Sequence, residues 1–123
     1  MNFQTLLLRQ INPSWVREGR TTSQAFKPTP KDNNRLSVSD GDMVSPQKSW
    51  EEYTGRGWSS QGVLAVAYSE CEDNGLKVFS DPLPEQPDHA VIDFTTVESK
   101  SKIERVSKIL VLLAMERGWL YQP

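Results

Sequence analysis

The run "VLAVAY" (Val63–Tyr68) constrains this chain more than any other stretch. Its residues follow one another without a polar break, between the glycine-rich "GRGWSSQG" and the polar "SECEDNG". A short continuous apolar run bounded by turn signals suits a strand covered on both faces. Such a strand needs a layer on each side, so the chain must combine a sheet with packed helices. The run is read as a central strand, with "AVIDF" (residues 90–94) as a second buried one.

The cover comes from the C-terminus. Ser101 and Glu104 match a capping box, and Ile103, Val106, Leu110 and Leu113 follow at 3-4-3 spacing. Gly118 stops that helix, with Arg117 near its negative end. The expected core sets this stripe against Val63, Leu64, Val66, Val91 and Ile92. Leu110 is the position expected to matter most.

The rest reads as short elements. Gln4 to Ile11 is a first strand around Leu6–Leu8, and "NPSWV" a single helical turn capped by Asn12. "TTSQAF" (Thr21–Phe26) is β-leaning, with Thr22, Gln24 and Phe26 sharing a face. "KPTPKDNN" is a loop, "RLSV" a short strand, and "SDGD" a turn in which Gly41 takes positive φ. Ser45-Pro46 opens a helix that puts Trp50 and Tyr53 on one face. Ser69 and Glu72 form another capping box, ended at Gly75. "LKVF" is a strand, and "SDPLPEQPD" a proline-stiffened crossover. The fold class is α+β: one domain over residues 1–123, with a small mixed or mostly antiparallel sheet and a long C-terminal amphipathic helix packed on it.

Composition narrows the function classes. A net charge of −2 makes the whole molecule no polyanion binder. Charge is instead blocked: residues 1–58 carry +2, residues 59–98 carry −7 and residues 99–123 carry +3. One cysteine, Cys71, excludes an internal disulfide and fits a reducing, cytoplasmic setting. One histidine and one cysteine make a structural zinc site poorly founded, since four N or S ligands are the rule. The apolar run Ile109–Met115 is too short to span a bilayer, and Met1–Leu8 lacks the basic start of a secretory signal. No glycine-rich phosphate loop is present, and no cofactor, metal or membrane partner is expected.

His89 lies just before a buried strand and next to Asp88. It is a candidate general base, although neighbours in an extended segment face opposite ways, so Asp88 is a poor orienter. The competing reading has His89 bonding a loop backbone. Cys71 sits among Glu70, Glu72 and Asp73, anions that raise a thiol pKa, and reads as packing. Arg9, Arg17, Arg20, Lys27, Lys31 and Arg35, interleaved with Trp15 and Phe26, are candidates for seating a nucleic-acid backbone and stacking its bases. The competing reading places both aromatics in the core, with the cations solvating a surface and blunting a sheet edge.

Two resemblances bear on function. Arg9 at the end of a first strand, the hydroxyl-rich "TTS" (Thr21, Thr22, Ser23) leading to Phe26, and the later Glu70-x-Glu72 resemble the element order of ADP-ribosyltransferases. That resemblance implies that arginine and hydroxyls hold a dinucleotide, with the last glutamate activating an acceptor. More broadly, "LRQINPSWVREGRTTSQAF", "KDNNRLSV" and "DPLPEQPDHAVIDF" resemble small uncharacterised bacterial proteins, and this implies a setting but no activity.

Three functions stay open. The first is a non-catalytic protein-interaction module of the bacterial cytosol, in a toxin–antidote or defence assembly, whose partner is another protein. Its contact residue is Trp58, in the glycine-flanked link, with Arg20, Lys27, Lys31 and Arg35 as further binding candidates. The second is a small enzyme acting on a dinucleotide or nucleic acid through Arg9, Ser23, Glu70 and His89. The third is a nucleic-acid-binding protein using segment 9–35. Any site is expected where the 19–42 stretch faces "DPLPEQPDH".

Overall fold

The computed structural model describes residues 1–123. Seven strands and three α-helices follow in chain order. They are β1 (Leu6–Gln10), β2 (Val16–Arg17), β3 (Arg20–Thr21), β4 (Arg35–Asp40), α1 (Pro46–Gly55), β5 (Val63–Ala67), α2 (Tyr68–Asp73), β6 (Lys77–Ser80), β7 (His89–Asp93) and α3 (Lys100–Arg117). Five strands form one sheet in the order β5-β1-β4-β7-β6, and β2 and β3 form a separate two-stranded ribbon. Every pairing in the large sheet is antiparallel. The α+β reading holds.

The two faces of the sheet have different fates because strand side chains alternate. Leu7, Leu36, Val38, Leu64, Val66, Ala90 and Ile92 point to one face and join Ile103, Leu110, Val111 and Ala114 of α3 in the main core. Leu8, Val63 and Ala65 point to the other and pack with Val44 and Trp50 at α1. Val63 therefore does not meet α3, contrary to the expected core. Nor does Val91, which sits in register with Ser37 on the second face.

The buried stripe of α3 also differs. It comprises Ile103, Ser107, Leu110, Val111 and Ala114, while Leu113 is only half-buried. Ser107 is tolerated inside because its Oγ donates to the carbonyl of Ile103 at 2.8 Å. The helix cap is Ser99, whose side chain accepts from the amide of Lys102, so Ser101 lies within the first turn.

"VLAVA" is buried throughout, with Tyr68 half-buried at the start of α2, but β5 is an edge strand, not a central one. Its outer edge is sealed by the C-terminal tail. Leu120 donates to the carbonyl of Val63 at 2.9 Å, the amide of Val63 donates to Tyr121 at 2.9 Å, and Arg117 donates to the carbonyl of Ala65. A covered edge looks in sequence like a central strand, because both need apolar residues on two faces.

Four local expectations are corrected. "TTSQAF" is a 3-10 turn over Ser23–Phe26, since Ala25 and Phe26 are both fully buried beneath α3. An alternating strand would bury only one of two neighbours. Gly41 has no positive φ; a Cβ there would lie 2.5 Å from the carbonyl oxygen of Leu6, so close approach is what requires glycine. The second capping box shifts by two residues, with the Glu70 carboxylate accepting from the amide of Ala67. "SDPLPEQPD" joins adjacent antiparallel strands and so is a hairpin loop, pinned by a Leu83–Gln86 bridge.

Candidate functional site

The second face of the sheet is only partly covered by α1. Between that helix and the β6–β7 loop lies a cleft of about 230 Å³. Its floor is polar, and the register explains why. Ser39 stands opposite both Leu8 of β1 and His89 of β7, and Ser37 opposite Val91. Beyond the pair Ser80–Ala90, the amide of Asp81 donates to the carbonyl of His89 at 2.9 Å, which places Asp81 beside His89 on the far side. Ser37, Ser39 and His89 thus come from two adjacent strands, and Asp81 is the residue that follows the third.

These side chains bond one another. His89 Nδ1 lies 2.9 Å from the carbonyl oxygen of Asp81 and 3.2 Å from its carboxylate Oδ2. Nδ1 carries the proton that these acceptors share, so in that tautomer the Nε2 lone pair faces Ser37 Oγ at 3.1 Å. Alongside, Gln10 Nε2 donates to Ser49 Oγ at 2.9 Å, and Gln86 Nε2 to Ser39 Oγ at 3.1 Å. Ser60 Oγ closes on Gln10 Oε1 at 2.8 Å.

Arg9 enters where β1 and β4 part after Leu8. Its Nε donates to the carbonyl of Ala25 at 2.8 Å and its Nη1 to that of Ser37 at 2.9 Å, and the guanidinium lies 5.0 Å over the Trp15 ring. Burial pushes Arg9 down to about 10, against the opposing pull of Tyr53 and Asp32, so it stays cationic at neutral pH.

The walls set apolar side chains beside Glu52, Arg56 and Asp88. Trp58 is 54% exposed and its ring sits 5.1 Å from that of Tyr53, while Leu83 is 41% exposed on the β6–β7 loop. Both line the cleft. Arg56 reaches from one wall to the other, donating to the carbonyl of Glu85 at 2.7 Å. The other tryptophans are packed: Trp50 donates to the carbonyl of Ser60 and lies against Tyr121, and Trp15 and Trp119 flank the main core.

Arg9, Trp58 and His89 therefore share one cleft, formed where part of the 19–42 stretch faces the "DPLPEQPDH" loop. Ser23 and Glu70 lie outside it. Ser23 donates to Glu104 at 3.3 Å, and Glu70 pairs with Arg117 at 3.0 Å, so these four enzyme candidates do not converge.

The basic candidates scatter as well. Lys27 pairs with Glu104 at 2.7 Å and holds that carboxyl below its usual range, and Arg35 lies 5.7 Å over the Phe79 ring. Arg20 sits in the β2–β3 ribbon and Lys31 in a 3-10 turn over Pro30–Asp32. Phe26 is fully buried and offers no stacking face.

Cys71 is fully buried, and burial followed by the charge of Glu70 pushes its thiol up to about 12. No three His, Cys, Asp or Glu side chains are grouped to hold a metal ion, and no helix is long and apolar enough to cross a membrane.

Sequence reasoning found His89 but not Ser37 or Asp81. Alternation in "RLSVSD" was the available signal, since it sets both serines on the face opposite Leu36 and Val38. No family model, curated protein or solved structure matches the chain.

Proposed function

We propose that this chain is a protein-interaction module that takes an extended segment of a partner protein into the cleft between α1 and the β6–β7 loop. The carrying observation is Trp58, an indole more than half exposed yet held against Tyr53 at the rim. An aromatic fixed in place without being covered loses little freedom on binding, which favours contact hot spots. Leu83 supplies an apolar counterpart, and the amides and hydroxyls of the floor match the hydrogen-bonding needs of a peptide backbone. The resemblance to small bacterial proteins supplies the setting, a cytosolic toxin–antidote or defence assembly.

The test begins with recovery of the partner from the native host and purification of the pair. Trp58→Ala should weaken the measured Kd by roughly 30-fold or more, as expected for a hot-spot aromatic, with the melting temperature almost unchanged. Unaltered affinity, or a melting point lowered by many degrees, overturns the reading. A second, enzymatic reading is favoured by one observation, the presence of Arg9 and His89 in the same cleft.

A further inference from the structure

Three features of the cleft floor coincide. Ser37 is an exposed residue on β4, whereas His89 is almost fully covered. The imidazole is oriented from behind by two oxygens of Asp81, so its proton is fixed on Nδ1 and its lone pair on the Ser37 side. The hydroxyl therefore faces a base that can accept its proton, with a carboxylate beside the nitrogen where positive charge would develop. A histidine serving only to tie down a loop needs one such bond. This one makes contacts at both nitrogens, and its outer partner is a hydroxyl open to the cleft.

We propose that Ser37, His89 and Asp81 form a hydrolytic site for small carboxylic esters, with Ser37 as nucleophile, His89 as general base and Asp81 as the positioning residue. Ser37 Oγ attacks the ester carbonyl carbon while its proton passes to Nε2, and the carbonyl π pair moves onto oxygen. Collapse expels the alkoxide, which takes the proton from Nε2 and leaves as the alcohol. Water then repeats the sequence on the Ser37 acyl ester. Its proton goes to Nε2, the tetrahedral intermediate expels Ser37 Oγ, and the serine recovers that proton as the carboxylic acid departs.

Arg9 is among the residues lining the cleft and is anchored on the backbone carbonyl of Ser37, and the proposal assigns its cation to the charge that develops on the intermediate. In a cleft of about 230 Å³, Leu8, Tyr53, Trp58 and Leu83 offer apolar surface to a short acyl or alcohol group beside Ser37. The proposal goes beyond partner recognition: its chemistry rests on Ser37, His89 and Asp81, and Trp58 enters only as part of the wall.

The test uses the full chain with a fluorophosphonate probe, read by intact and peptide mass spectrometry, and with p-nitrophenyl butyrate, read by p-nitrophenol release. One adduct per chain on the Ser37 peptide is expected, together with ester turnover. Ser37→Ala should abolish both, and His89→Gln should slow both by roughly 100- to 10,000-fold. Asp81→Ala should slow labelling, with partial rescue in Asp81→Glu, which a purely structural role would not produce. The wild-type measurement needs no variant to fold. Absence of a Ser37 adduct on natively folded protein overturns the proposal, as does labelling at the wild-type rate in His89→Gln.

Discussion

Arg117 Nη1 donates to Glu70 Oε1 at 3.0 Å and to the carbonyl of Ala65 at 2.9 Å. A single side chain at the last turn of α3 thereby holds the start of α2 and the outer edge of β5. Glu70 is itself committed, accepting from the amide of Ala67 at 2.7 Å. An edge strand otherwise invites pairing with another chain, and here helix end and tail close it together.

That relationship predicts a stability coupling. The pair is only partly shielded, with side-chain exposures of 27% and 20%. Arg117→Ala and Glu70→Ala should each cost about 1–3 kcal/mol, since each strands a polar partner. The double variant should cost clearly less than the sum, as contacting residues do. Urea denaturation of the four proteins measures this, and strict additivity would mean that the bridge carries no weight.

The packing of α3 predicts opposite outcomes for near neighbours. Leu110 is fully buried and Leu112 is 57% exposed. Leu110→Ala should cost roughly 2–5 kcal/mol, through lost transfer energy and a residual cavity. Leu112→Ala should stay within about 0.5 kcal/mol. Comparable losses for the two, in chemical denaturation, would show that the helix is rotated from the position described.

Cys71 predicts a dependence on alkaline pH. Burial raises its thiol from 9.0 to about 12, so the folded state keeps a proton that the unfolded chain releases above about pH 9. The stabilisation from keeping the neutral thiol is complete below pH 9 and is lost as pH rises towards 12. Wild type should therefore lose stability relative to Cys71→Ala by about 1.4 kcal/mol per pH unit inside that window. Denaturation midpoints of both proteins at pH 8 and pH 10.5 measure the difference, and parallel behaviour refutes the assignment. The same burial predicts slow alkylation by iodoacetamide at neutral pH.

The sequence by itself determined the class of fold and most element positions, because these follow from local chemistry. "VLAVAY" had to be covered on two faces, Ser45-Pro46 had to open a helix, and the proline-rich stretches had to be loops. Trp58 was legible as an exposed ring because glycines surround it and its polar neighbours give it no core.

Tertiary structure alone decided which strand took the edge, since Arg117, Leu120 and Tyr121 seal β5 from far along the chain. It also decided that Ala25 and Phe26 turn under α3 rather than alternate. Above all it assembled the cleft floor. Ser37, Asp81 and His89 are distant in sequence, and only the pairing register of β4, β7 and β6 brings a hydroxyl, an imidazole and a carboxylate into one hydrogen-bonded row. Register depends on which faces are buried across the whole sheet, and no single stretch of sequence carries that information.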